Sequence, residues 1–262
     1  MTGDESTPRS APRPRAGLVV VDDAQNRADA VALQRSGQAL AAGRVEEAII
    51  ALRALAATPT TTVRAHAATI LATLLVERGS AAEALVILEA IPPRGVTVDR
   101  GLIAMVRAQA LRRIGRHADA VGAAAEAWQA SPSTERCLVF AAALLADGQA
   151  GRAATILLEG LGAAPDDVAL LGQCAGTLAL AGDIAAARAT LARLARRRAD
   201  DDAEWQRQWA WASTCLGDVT ASQAALDRAF ALDPAGTRAW CADDDVLAAR
   251  GVKVQECGDG PA

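Results

Sequence analysis

A glycine that recurs at an almost constant interval constrains the fold of this chain more than any other feature. It stands at Gly43, Gly79, Gly115, Gly148, Gly182, Gly217 and Gly251, at intervals of 33 to 36 residues. Between these glycines the hydrophobic residues follow the 3.6-residue period of a helix and not the alternation of a strand. A unit of this length holds two short helices joined at the glycine, so the sequence predicts an array of helical hairpins.

The residues after each glycine repeat as well. A small residue stands five positions after each of the first six glycines, namely Ala48, Ala84, Ala120, Ala153, Ala187 and Ser222. Small side chains let two helices approach closely, so these positions are predicted to lie where the helices of one hairpin touch. Proline, which ends a helix, follows near the close of most units, at Pro59, Pro92, Pro132, Pro165 and Pro234. Ser80 and Glu83 have the spacing of a capping box and are predicted to open the second helix of the second unit.

Two segments carry a family resemblance. GRVEEAIIALRALAATP (43–59) and GDVTASQAALDRAFALDP (217–234) resemble the second half of a tetratricopeptide repeat, a helix-turn-helix unit of about 34 residues. The resemblance covers roughly residues 29–251, although the aromatic positions of the family pattern are mostly replaced and the chain has no tyrosine. It implies an all-α fold: a right-handed α-solenoid of antiparallel helix hairpins, with about six repeats and a C-terminal capping helix near residues 237–250.

The two ends of the chain differ from the repeats. Residues 1–23 contain Pro and Arg without helical periodicity and are predicted to form a disordered tail. The helical repeat domain is predicted over 24–251, followed by a flexible tail at 252–262. Within the first tail, the apolar segment GLVVV (17–21) is interpreted as a self-ligand of the repeats, as a segment that extends onto a partner, or as a cap on the first helix.

Several features indicate a cellular setting. The apolar run at 18–21 is far too short for a secretion signal, and no run approaches the roughly 20 apolar residues that cross a bilayer. We therefore expect a cytoplasmic protein without membrane insertion. Arginine is abundant, whereas Lys253 is the only lysine, a bias that GC-rich codons produce and that favours a bacterial source.

The sequence offers little catalytic chemistry. His66 and His117 lie outside any metal-binding spacing, and the cysteines are widely separated, at Cys137, Cys174, Cys215, Cys241 and Cys257. The net charge of -4 and the pI near 5.3 disfavour nucleic acid as a partner. We therefore predict no enzyme activity, no catalytic residues, no metal and no cofactor.

The resemblance also implies a binding surface. In this family the concave face is built from first helices and holds an extended peptide or a partner helix. Transferred position by position, it gives a partner-binding groove that includes Met105, Gln109, Arg112, Arg113, Glu135, Leu138, Arg207 and Trp211. The Lys and Asn residues with which some members grip a terminal carboxylate are absent from these repeats. An apolar or amphipathic partner therefore suits this groove better than an acidic tail.

Three tryptophans in one helix are the sharpest local feature. Trp205 and Trp209 share a face, whereas Trp211 is turned by about 200° from Trp209, so the three are predicted not all to lie in the core. Arg207, four positions before Trp211, is predicted to stack on its ring in a binding hot spot. The alternatives are that Trp211 packs against the neighbouring repeat or that the helix register is shifted by one residue.

These observations predict a non-catalytic adaptor or scaffold that binds a protein or peptide partner along its concave groove. The alternative is a peptide-binding regulatory sensor, or an assembly or secretion chaperone. Self-association through the terminal helices is a further option.

Overall fold

A computed structural model describes residues 23–197 and 200–242 of the 262-residue chain. These residues form helices and no strand. The helices are α1 Asp23–Ala41, α2 Val45–Ala56, α3 Thr62–Glu77, α4 Ala81–Glu89, α5 Arg100–Arg113, α6 His117–Ala130, α7 Thr134–Ala146, α8 Ala150–Ala163, α9 Val168–Leu180, α10 Ile184–Ala195, α11 Ala203–Cys215, α12 Val219–Leu232 and α13 Pro234–Cys241.

The helices follow one another as hairpins that stack in chain order. Each helix contacts the next one along the chain, from α1 to α13. The first helix of each hairpin also contacts the first helix of the following hairpin, from α1 against α3 to α9 against α11. The predicted all-α solenoid of six hairpins is thereby confirmed, and α13 follows as a C-terminal helix packed on α12.

The recurring glycines form the tight turns between paired helices. All six that lie in described residues, from Gly43 to Gly217, have φ between 73° and 88°, the left-handed region that glycine enters without steric cost. At the first turn, the Arg44 N–H donates to the Ala39 carbonyl and closes the end of α1. The predicted turns are thus confirmed at these positions, whereas Gly251 lies outside the described residues.

The small residues after the glycines lie where predicted. Ala48, Ala84, Ala120, Ala153, Ala187 and Ser222 are completely buried. Ser222 satisfies its hydroxyl in this place by bonding to the Ala210 carbonyl at 3.0 Å and to the Thr214 hydroxyl at 2.6 Å. The side chain at the contact between the two helices of each hairpin therefore has only one or two heavy atoms.

The predicted capping box at Ser80 is wrong. Ser80 precedes α4 with a backbone ψ of 45°, and its side chain makes no cap hydrogen bond. Its N–H already donates to the Leu75 carbonyl across the glycine turn and is not available to Glu83. Glu83 instead pairs with Arg53 of the preceding hairpin, at 2.9 Å.

The last helix begins earlier than the sequence predicts. Asp233 accepts a hydrogen bond from the Gly236 N–H at 2.9 Å, so α13 starts at Pro234 and not near residue 237. Its predicted continuation to residue 250, and most of both predicted tails, lie outside the described residues. No helix in the described part of the chain is long and apolar enough to cross a membrane.

Candidate partner-binding groove

A cavity of about 550 Å³ runs along the first helices of the later repeats. Its walls come from α5, α7, α9 and α11, and Trp240 of α13 lies at the C-terminal end of the array. The lining residues are Ala108, Gln109, Arg112, Leu138, Val139, Ala142, Leu145, Ala146, Ala169, Gln173, Leu180, Glu204, Gln208, Trp211 and Trp240. We call this cavity the groove.

Half of the predicted binding residues line the groove. Gln109, Arg112, Leu138 and Trp211 do so, which places them together across three repeats. Arg113 and Glu135 are exposed, at the end of α5 and the start of α7, but they do not line the cavity. These two predicted positions therefore flank the groove.

Met105 does not reach the groove surface, contrary to the prediction. Only 4% of it is exposed, and it packs in a small cluster with Ala104 and Ala127. Leu102 and Val139 close this cluster from outside. The face of α5 that bears Met105 is covered by neighbouring helices, so Met105 is a core residue.

Arg207 is held by carboxylates and does not form the predicted stack on Trp211. Its guanidinium pairs with Glu204 at 2.9 Å and with Asp233 at 3.0 Å, and 13% of its side chain is exposed. Burial by itself lowers the pKa of Arg207, but the hydrogen bonds to both carboxylates outweigh burial and raise that pKa above its usual value. Arg207 thus ties α11 to the start of α13.

Trp211 packs against the neighbouring repeat, as the alternative interpretation holds. It is 4% exposed, and its indole nitrogen lies where a Cβ of Gly176 would stand. One turn earlier, a Cβ on Gly172 would overlap the side chain of Gln208. The two glycines therefore let α9 and α11 approach closely, which places Trp211 and Gln208 in the wall of the groove.

The three tryptophans do not all lie in the core, as predicted, but the one outside it is Trp209 and not Trp211. Trp205 is 5% exposed and Trp209 is half-buried, with their rings stacked 5.1 Å apart. Helix α11 packs against α9 on one side and α12 on the other, so opposite faces of it are both covered.

The groove combines an apolar wall with side-chain amides. Gln173 donates to the Gln208 amide oxygen at 3.3 Å, and Gln208 donates to Glu204 at 2.8 Å. With Gln109, these amides give the groove both donors and acceptors of the kind that pair with a peptide backbone. One arginine, Arg112, and one glutamate, Glu204, contribute opposite charges, so the lining carries little net charge.

Residues 144–208, from the end of α7 into α11, match the model of the tetratricopeptide repeat family. This match supports assignment to the tetratricopeptide repeat proteins. A search of curated proteins finds no match. Tetratricopeptide repeats generally mediate protein–protein interaction and are typically non-catalytic, so proteins are the general class of partner that this family indicates.

The reactive side chains of this repeat protein lie apart from the groove. Cys137 and Cys174 are fully buried, and burial raises the pKa of each thiol to about 11. His66 is exposed on α3, and His117 is the first residue of α6. Within the described ranges, no three His, Cys, Asp or Glu residues are grouped so that they could hold a metal ion.

Sequence reasoning missed several groove residues of this repeat protein, above all Gln173, Gln208 and Trp240. A usable signal exists for the first two, because they stand 35 residues apart, one repeat, at equivalent places in α9 and α11. Trp240 stands one repeat after Trp205, but Trp205 is a core residue, so the repeat spacing alone does not place Trp240 in the groove.

Proposed function

We propose that this protein is a non-catalytic adaptor of the cytoplasm that holds a partner protein in the groove. The single observation that carries the proposal is the continuous cavity of about 550 Å³ shared by the first helices of four successive repeats. A cavity within one hairpin would suit a small molecule, whereas one that crosses repeats suits an elongated segment.

The lining indicates the chemistry of that segment. Leu138, Val139 and Leu145 offer apolar contact, and the amides of Gln109 and Gln173 can pair with backbone groups. An uncharged segment with apolar side chains can make both the apolar contacts and the hydrogen bonds, whether it is extended or helical. A strongly acidic or basic segment would find few opposite charges here, because Arg112 and Glu204 are the two charged residues of the lining and have opposite signs.

The walls favour binding by preorganisation. Trp211 and Gln208 are buried against α9, so they lose little conformational freedom when a partner docks. Such a rigid surface can hold a partner without a change in its own fold.

The test is a substitution that fills the groove without touching the core. Ala142 is half-buried and lines the cavity, so Ala142→Arg places a long charged side chain in the groove. Ala189→Arg is the matched control, because Ala189 is exposed on α10 and does not line the groove. Equal helicity and equal thermal midpoints of both variants would show that the fold is kept.

The measurement is capture of partners from the native cell extract, followed by mass spectrometry and by titration of the purified partner. We expect the partner to be retained by wild type and Ala189→Arg and lost, by at least about tenfold in affinity, with Ala142→Arg. Equal retention by both variants would place the binding site outside the groove and refute the proposal.

A further inference from the structure

A second cavity, of about 380 Å³, lies between α11 and the second helices of the last two hairpins, α10 and α12. We call it the tryptophan slot, because Trp205 and Trp209 of α11 belong to its wall. Its lining is mostly apolar and includes a few polar side chains, as is typical of sites for small molecules. It shares no lining residue with the groove, so it is a separate site.

On the α10 side of the slot, a large side chain of the repeat is replaced by alanine. Thirteen residues after the turn glycine, the two preceding hairpins carry Trp128 and Leu161, and the following hairpin carries Phe230. The equivalent residue of α10 is Ala195, which lines the slot. Helix α10 also lies less closely against α11 than α8 lies against α9. The slot is thus a local departure from the repeat and not a property of every hairpin.

The tryptophan slot combines aromatic rings with small side chains. The rings of Trp205 and Trp209 stack with an angle of 15° between their planes. The Trp205 indole N–H donates to the Leu194 carbonyl at 3.1 Å, which holds that ring in its orientation. Helix α12 contributes Ala221 and Ala224, whose short side chains leave the space between the helices open. A planar ring suits this space, since aromatic rings gain energy by packing on one another.

One polar group of the lining is buried and incompletely paired. Only 2% of Gln206 is exposed. Its amide nitrogen donates to the Asp200 carbonyl at 3.4 Å, and its amide oxygen accepts no hydrogen bond from the described part of the chain. A buried acceptor without a partner is costly, so a ligand that donates an N–H or O–H to this oxygen is favoured over one of the same shape without a donor.

The charged residues of the lining already pair with each other. Arg228 and Asp200 are exposed at the edge of the slot and lie 3.6 Å apart. Recognition in the slot therefore depends on the rings and on Gln206, and it requires no charge on the ligand.

We propose that the tryptophan slot binds a planar aromatic molecule that carries an N–H or O–H donor, with its ring against the tryptophans and its donor on the amide oxygen of Gln206. The volume of the slot lies within the range of small-molecule sites. Because slot and groove share no residue, this binding can succeed or fail independently of the proposed adaptor function.

The experiment is isothermal titration calorimetry of the full-length chain with two probes, indole and benzofuran. The two bicyclic rings have nearly the same shape, but only indole has an N–H. Wild type should bind one indole per chain and should bind benzofuran about tenfold more weakly. Gln206→Met keeps the length of the side chain and removes the amide. This variant should bind indole about as weakly as benzofuran, and its affinity for benzofuran should stay within about twofold of wild type.

A second variant tests the position of the site. Ala224 is exposed on α12, so Ala224→Leu fills the slot without entering the core and should weaken both probes by at least about tenfold. Ala231→Leu is the matched control, because Ala231 is exposed two turns later on the same helix and does not line the slot. This control and the groove variant Ala142→Arg should both bind indole as wild type does. Equal thermal midpoints would show that all variants keep the fold.

Three results would overturn the proposal. The first is a wild-type chain that shows no saturable binding of indole. The second is indole binding that Ala224→Leu retains or that Ala142→Arg abolishes, since the molecule would then lie outside the slot. The third is equal affinity of wild type for indole and benzofuran, which would refute Gln206 as the acceptor of the donor that the proposal requires.

Discussion

The indole ring of Trp211 lies so close to Gly176 that a Cβ on Gly176 would overlap its nitrogen. This contact joins α9 to α11 at the wall of the groove, and it depends on the absence of a side chain at residue 176. Packing and binding surface are therefore coupled here, since the same ring that closes the repeat interface also lines the cavity.

Gly176→Ala should destabilise the protein by about 1–3 kcal/mol, because the added methyl forces Trp211 or a helix backbone to move. Guanidinium denaturation measures the change. The control is Gly122→Ala on α6, where a Cβ would meet no atom within 4 Å. That variant should gain about 0.5–1 kcal/mol from the helix preference of alanine. Equal stability of the two variants would contradict the close contact between Gly176 and Trp211.

The repeat architecture could be predicted from the sequence because its determinants are local. A left-handed turn requires glycine, and a close helix crossing requires a small residue, so both recur with the repeat at positions such as Gly79 and Ala84. These requirements depend on only a few neighbouring residues. The order of the hairpins follows from them without knowledge of distant contacts.

The details of the groove could not be predicted, because they depend on contacts between repeats. Arg207 pairs with Asp233, which is 26 residues away and on another element. A helical wheel of α11 shows that Trp209 and Trp211 point to different faces of the helix. It does not reveal that α9 and α12 together cover both faces. The prediction that Met105 lies at the groove surface is wrong for the same reason, since its burial depends on Ala127 of α6.

Ala153→Leu should destabilise the protein by at least about 1–3 kcal/mol. Ala153 is fully buried at the crossing of α7 and α8, and a leucine there must separate the two helices. Ala189→Leu, at an exposed site of α10, should change stability by less than about 0.5 kcal/mol. The comparison uses urea denaturation followed by circular dichroism. A tolerated leucine at residue 153 would show that the crossing is looser than the structure indicates.

Because of Asp29, the stability of the first repeats should decrease at acidic pH. The hydrogen bond from Arg64, at 2.6 Å, outweighs burial and lowers the pKa of Asp29 below its usual value. A lowered pKa in the folded state means that the stabilisation is complete above the unfolded pKa, near 3.8. This stabilisation is lost as the pH falls through the pKa of Asp29 in the folded state.

The measurement is the urea midpoint as a function of pH for wild type, Asp29→Asn and Arg64→Gln. Both variants should be less stable than wild type at neutral pH and should lose less stability below about pH 4. A wild-type curve and an Asp29→Asn curve that stay parallel through this range would show that the pair does not contribute to the acid dependence.

Cys174 should resist alkylation until the chain opens. Its thiol is fully buried on α9, and burial raises its pKa to about 11, so both access and thiolate are lacking near neutral pH. Iodoacetamide at pH 8, followed by peptide mass spectrometry, should label Cys174 rapidly in denaturant and only slowly in the native chain. Because Gly176→Ala is expected to lower the stability of the fold and Gly122→Ala is not, Gly176→Ala should label Cys174 faster than Gly122→Ala does. The same rate in both variants would mean that the thiol is reached by a motion that leaves the contact between Gly176 and Trp211 intact.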